Sequence, residues 1–259
     1  MRTRIISVLA PIALAACGGD SSPALPSPAD RTPSPGGHWS TVHNGSQVTF
    51  YVAETGTVRA LIETAPATIP LVGAGTVSST AAGSVSGSLQ ARDDQPIGNE
   101  LGCALSGALA ERISLELDVT CSDAAGIVYE ETLAMTPQPG YEVDSSLADI
   151  AGNYTLSISV APNTLNIAAD GTLFGMWDNG EQCTVNGLVS IIDPDYNLLG
   201  IDWRFSNCSG SFPYYDDAEL TGLALQRTES SWPAGTYSFI LTGQTDQRVN
   251  VIVITYVPT

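Results

Sequence analysis

The feature that most constrains the fold of this chain is a pattern that occurs twice. Gly37-His38-Trp39 is followed by Gly56-Thr57-Val58, and Gly152-Asn153-Tyr154 by Gly171-Thr172-Leu173, with 19 residues from glycine to glycine in both. Cys103-Ala-Leu-Ser-Gly107 and Cys183-Thr-Val-Asn-Gly187 then repeat one Cys-x-x-x-Gly spacing. Each is followed by an alternating segment and a further cysteine, Cys121 or Cys208. Such self-similarity marks a chain made of copies of one unit. The copies cover residues 38–145 and 146–259, and "TPQPGYEVDSSLADIAG" (136–152) is the joint. The first copy holds 35 more residues than the second between its second glycine and its first cysteine. Much of that stretch is "GAGTVSSTAAGSVSGSLQA", where Val77, Val85 and Leu89 fit added strands.

Within each copy the chain reads as β. "QVTFYVA" (47–53) is a β-branched and aromatic run, and "ISLELDVTC" (113–121) alternates apolar and polar residues. "YTLSISVA" (154–161), "LGIDWRF" (199–205), "TYSFILT" (236–242) and "VNVIVITYV" (249–257) have the same habit. Between them stand "ADG", "DNG", "DPDYN" and "PAG", which carry turn chemistry. Only "LADI" (147–150) and "LAER" (109–112) offer a helical turn. The expected fold is all-β: two tandem small antiparallel β-barrels or sandwiches with one disulfide each. A single larger two-sheet body with shared strands is the other architecture the pattern permits.

The first 37 residues belong to neither copy. Arg2 and Arg4 precede an apolar run from Ile5 to Ala16 that Pro11 interrupts. The run is too short to cross a bilayer, which takes ~20 apolar residues, and it reads as a secretory signal peptide over 1–16. Leu14-Ala15-Ala16-Cys17 resembles a bacterial lipobox. That resemblance implies acyl chains on Cys17, a membrane anchor, and cleavage before the cysteine. Gly18 after the cysteine, where Asp would signal inner-membrane retention, implies the outer membrane of a Gram-negative bacterium. Two or three acyl chains anchor stably, at ~0.8 kcal/mol per buried CH₂. Residues 17–37, with Pro23, Pro26, Pro28, Pro33 and Pro35 among small polar residues, read as a tether.

The cysteines agree with this division. In an oxidising compartment an odd count leaves one thiol over. With Cys17 lipidated, Cys103, Cys121, Cys183 and Cys208 remain, and the repeat pairs them as Cys103–Cys121 and Cys183–Cys208. Three connectivities are formally possible for four cysteines.

Charge narrows the partners. The chain has 27 acidic and 9 basic side chains, a formal charge of −18, and no lysine. Loss of residues 1–16 removes Arg2 and Arg4 and no acid, leaving −20. Nucleic acid and anionic headgroups are repelled by such a surface, because binding them takes Lys and Arg.

The combination G-x-[WY], C-x-x-x-G and a last cysteine, after a lipobox and a Pro-rich tether, resembles a family of uncharacterised proteobacterial outer-membrane lipoproteins. "SLADIAGNYTLSI…ADGTL…CTVNG…C" carries most of that likeness, which covers residues 37–259. In architecture, paired β-lobes on a lipidated tether are similar to the host-protein-binding surface lipoproteins of pathogenic neisseriae; that is a likeness of fold alone.

Catalytic motifs are weak. "GDS" at Gly19-Asp20-Ser21 stands in the tether, and "GSVSG" (83–87) puts Val85 where a nucleophile elbow needs serine. Asp193 and Asp195, or Asp216, Asp217 and Glu219, are loop acids that could serve hydrolysis or calcium, yet Asp is also a common turn residue. No zinc constellation stands in the sequence. No cofactor is expected and an enzyme is not. The expected function is a non-catalytic binding or interaction module. A structural or assembly accessory of the envelope is the alternative, and a hydrolase using the loop carboxylates a third. The expected binding rim consists of the loop aromatics Trp177, Phe212, Tyr214, Tyr215 and Trp232, for a protein or small-molecule ligand.

Overall fold

The computed structural model describes residues 32–63, 71–92, 100–156, 163–178, 182–209, 215–228, 230–244 and 249–259. The signal peptide, Cys17, residues 18–31 of the tether, Phe212 and Tyr214 lie outside them.

Among the described residues, sixteen strands form two closed antiparallel barrels in tandem. The first contains β1 (Gly37–His43), β2 (Ser46–Val52), β3 (Thr57–Glu63), β4 (Leu71–Ser79), β5 (Ser84–Arg92), β6 (Leu101–Ala110), β7 (Ser114–Asp123) and β8 (Gly126–Pro137). After a short helix, α1 (Leu147–Ile150), the second contains β9 (Gly152–Leu156), β10 (Thr164–Ile167), β11 (Thr172–Asp178), β12 (Gln182–Ile191), β13 (Leu198–Ser206), β14 (Glu219–Gln226), β15 (Tyr237–Gln244) and β16 (Val249–Pro258). Each strand pairs with its sequence neighbours, and β8 and β16 close the barrels against β1 and β9. Every second side chain points inward. In β7, Leu115, Leu117, Val119 and Cys121 are buried while Glu116 and Asp118 are exposed. The wall at β7 is therefore polar outside and apolar inside, the reverse of a strand facing lipid.

The two copies coincide strand for strand at their ends. Trp39 Nε1 donates to the Pro35 carbonyl at 3.0 Å, and the Tyr154 hydroxyl to the Ile150 carbonyl at 2.6 Å, both four residues back. Trp39 pairs with Pro137 and Tyr154 with Pro258, so each barrel closes an aromatic against a proline. Gly56 and Gly171 turn the chain at φ of 87° and 86°, the left-handed region that glycine adopts freely. Their carbonyls accept from Val77 and Val189, each at 2.8 Å.

The cysteine motif does not follow that correspondence. Cys103 begins the sixth stave of its barrel and Cys183 the fourth of its own. The Gly/Ser-rich stretch forms the hairpin β4–β5, as its valines and Leu89 predict, and the second barrel reaches eight strands with β15–β16 at its end instead. An antiparallel barrel closes only on an even number of strands, so a hairpin is the smallest unit that can be inserted or moved. Both bridges form as expected, Cys103–Cys121 and Cys183–Cys208, with Cα atoms 3.9 and 4.1 Å apart. "LADI" is α1, capped by the Ser146 hydroxyl, which accepts from the Asp149 amide at 3.2 Å. "LAER" is not helical: Leu109 and Ala110 end β6, and the chain turns through Arg112 at φ 59°.

The barrels touch along β2–β4 of the first and β13–β15 of the second. Tyr51, Leu61, Val72, Leu223, Leu225 and Ile240 form an apolar layer there. These residues stand on the outer faces of their barrels, which explains the continuous apolar runs "FYVA" (50–53) and "LAL" (223–225). A strand covered on both faces loses its alternation. Arg59 crosses the layer, donating to the Val58 carbonyl at 3.0 Å and to the Thr221 hydroxyl at 3.1 Å.

Candidate ligand-binding cavity

The interiors of the barrels differ, and the difference starts from two positions. In both copies the cysteine strand carries inward residues at alternate positions, Cys103, Leu105, Gly107 and Leu109 in one and Cys183, Val185, Gly187 and Val189 in the other. A Cβ on Gly107 would collide with the Glu116 carbonyl oxygen, and one on Gly187 with that of Asp202. The glycine thus lets the next strand close in. Opposite Gly107 and Leu105 that next strand presents Leu117 and Val119; opposite Gly187 and Val185 it presents Trp203 and Phe205.

The consequence, among the described residues, is one barrel packed along its axis with aromatic rings and one with an apolar cavity. The space of about 610 Å³ against the second barrel is bounded by outward Phe174, Met176 and Gln182 as well as by Leu165 and Cys183. In the second, Trp203 lies 6.0 Å from Phe205 and 6.3 Å from Phe239 by ring centroids, and Phe239 lies 5.6 Å from Tyr256. Tyr154 and Tyr237 fill the lower end at 5.9 Å from each other. In the first, the lower end is filled by Trp39, Leu115 and Met135, but the upper half is lined by small and aliphatic side chains. Ala60, Gly73 and Ala91 on three successive strands leave a cavity of about 330 Å³. Phe50, Leu89, Val119 and the Cys103–Cys121 bridge form much of its wall. An eight-stranded barrel is just wide enough to be filled by side chains or to hold one small ligand; these two barrels take the two options.

The cavity lies at the end where the β3–β4, β5–β6 and β7–β8 connections are. Val128, half exposed, reaches from its lining to the surface beside the exposed Ile127. Tyr129 supplies the phenol in a lining otherwise nearly all carbon. Burial first, and the Glu131 charge second, push its ionisation up, so it stays a neutral phenol at physiological pH.

The opposite end is sealed. Pro35 and Gly36 are buried there, Ser79 donates to the Pro33 carbonyl, and Arg112 to that of Gly36. Arg112 also ties the barrels together. Its guanidinium lies 2.6 Å from Glu54 and 3.1 Å from Glu142, and over the rings of Tyr141 and Tyr196 at 5.0 and 4.8 Å. Burial works against its charge, but the Glu54 carboxylate outweighs that and holds the guanidinium above its usual value. Tyr141 donates to the same carboxylate at 2.9 Å.

The expected aromatic rim is split between the two ends of the second barrel. Trp177 and Tyr215 are half-buried and pack on the core ring of Phe205, at 6.0 and 5.3 Å. Trp232, in the β14–β15 connection at the other end, lies under Arg227 at 5.7 Å. The loop acids separate likewise. Asp193 and Asp195 precede β13, whereas Asp216 and Asp217 follow it, about 30 Å away at ~3.3 Å per strand residue. Asp217 pairs with Arg204 at 2.8 Å, and Asp216 accepts from the Cys208 amide at 3.0 Å. Among the described residues, no group of three or more His, Cys, Asp or Glu is placed to hold a metal ion.

The cavity is not legible within either copy alone. Its signal is the contrast between "LELDVTC" and "IDWRFSNC", the segments before the last cysteine of each copy. No family model, characterised protein or solved structure matches the chain.

Proposed function

We propose that the protein is a lipid-anchored module of the Gram-negative outer membrane that binds a small apolar molecule in its first barrel, without catalysis. The observation that carries this reading is the apolar cavity of the first barrel, where the described residues of the second place Trp203, Phe205 and Phe239 instead. An assembly accessory would need no such space. In this reading acyl chains on Cys17 hold the molecule at the membrane, and the second barrel acts as a rigid support for the first.

The size of the cavity bounds the ligand. A volume of 330 Å³ stands at the lower end of small-molecule sites and holds roughly ten groups of about 30 Å³ each. Burial of ten methylenes gives ~8 kcal/mol at ~0.8 kcal/mol each. Lost rigid-body freedom costs about 4 kcal/mol or more. A plain aliphatic ligand therefore binds at about millimolar concentration, and a polar contact at the mouth tightens it.

The test is titration with the neutral fluorophore 1-naphthylamine, whose eleven heavy atoms match the cavity. The wild-type protein should bring a saturable rise in emission. Val119→Phe, which gives the first barrel the residue that Phe205 supplies in the second, should abolish it while leaving the β-sheet circular dichroism intact. An unchanged titration in Val119→Phe would place the site elsewhere.

A further inference from the structure

The inner face of β8 carries a carboxylate. Leu133 and Met135 point inward and are buried, and by alternation Glu131 and Tyr129 share that face. Tyr129 and Leu133, the neighbours of Glu131 on it, both line the cavity. Glu131 itself is 35% exposed and stands at the rim of the cavity, beside its lining rather than in it.

The barrel seam leaves room for this group. β1 and β8 pair through Trp39–Pro137 and Ser40–Thr136. Nearer the mouth the contact passes to side chains: Glu131 lies 2.9 Å from His43 Nε2 and accepts from Asn44 Nδ2 at 3.4 Å. The other cation described at this end, Arg92, faces Glu100 at 3.4 Å. Glu130, Asp123 and the net charge of −18 add to a negative field at the mouth.

We propose that the ligand of the first barrel is a cationic amphiphile, an alkyl chain of about ten carbons with an ammonium head held by Glu131. The inference rests on the reading that the cavity binds apolar molecules and adds the chemistry of the head. The chain lies among Ala91, Leu89 and Val119. The ammonium takes the place of the His43 imidazole on Glu131 and donates to the Tyr129 phenol oxygen. A fatty-acid carboxylate at the same depth meets Glu131 with like charge and is rejected.

Displacement of 1-naphthylamine by decylammonium, decanol and decanoate tests this on the full chain. Decylammonium should displace the probe at a concentration at least tenfold below that of decanol, and decanoate should be the weakest. Glu131→Gln should bring decylammonium level with decanol, while Glu130→Gln, on the outer face, leaves the order intact. If Glu131→Gln does not fold, His43→Asn serves: freeing the carboxylate should strengthen decylammonium at least threefold. Equal displacement by all three, preference for decanoate, or an unmoved order in the folded variants overturns the cationic head and leaves the cavity reading standing. Failure of the probe to enter the wild-type barrel overturns both.

Discussion

Arg112→Ala should be the most damaging single substitution outside the barrel cores. The wild-type guanidinium makes one well-formed charged hydrogen bond to Glu54 at 2.6 Å, worth about 1.5–3 kcal/mol. Its two ring contacts add about 0.5–1 kcal/mol each. The Glu142 contact counts for nothing, since that carboxylate is 65% exposed and screened by water. The expected loss is about 3–4 kcal/mol, part of it the cost of leaving Glu54, 16% exposed, on the Tyr141 hydroxyl without its guanidinium. Urea unfolding followed by tryptophan emission measures it. At a slope of ~3 kcal/mol per molar urea the midpoint should fall by about 1 M. Adding Glu54→Gln should return at least 1 kcal/mol, because an unpaired buried carboxylate costs more than a missing pair. A loss below 1 kcal/mol in Arg112→Ala, or simple additivity in the double variant, would mean that Arg112 and Glu54 do not hold the joint as a pair.

Two further outcomes follow from buried chemistry. Tyr141, Tyr237 and Tyr256 are held above the usual phenol range, chiefly by burial, so the unfolded chain releases their protons first. Stability is then complete below about pH 10 and falls as pH rises further, by ~1.4 kcal/mol per unit for each ring and ~4 for the three; denaturant midpoints at pH 9 and 11 check this. Removing either bridge, whose cysteines are 18 and 25 residues apart, should cost about 3 kcal/mol. Only loss of Cys103–Cys121, which lines the cavity, should also weaken probe binding, so thermal melts and titrations of the two double Cys→Ser variants separate the effects.

Much of the fold is legible from residue type alone. Alternation in "ISLELDVTC" states which side chains of β7 enter the core, and the paired cysteine spacings identify both bridges. What escapes local reading is the count of staves before each motif. Cys103 and Cys183 look equivalent because strand, glycine and bridge are equivalent, yet a hairpin stands before one pair and after the other. Closure requires eight strands and says nothing about where the added two belong. The loop aromatics show the same limit. Trp177 and Tyr215 look like an exposed rim in a one-dimensional reading, but the ring of Phe205 gives them a surface to pack on. The cavity depends on what stands opposite a glycine across the sheet, Leu117 or Trp203, and that follows only from the register. The runs "FYVA" and "LAL", by contrast, announce the joint between barrels, since unbroken apolar character means burial on both faces.

The claim of an apolar cavity in the first barrel and packed aromatic rings in the second is tested most directly by diffraction from crystals held under xenon. Xenon enters dry apolar cavities without any polar contact. A single strong anomalous peak inside the first barrel, between Phe50, Leu89 and Val119, and none inside the second is the predicted result. A first barrel without xenon, or xenon in both, would mean that the two interiors do not differ.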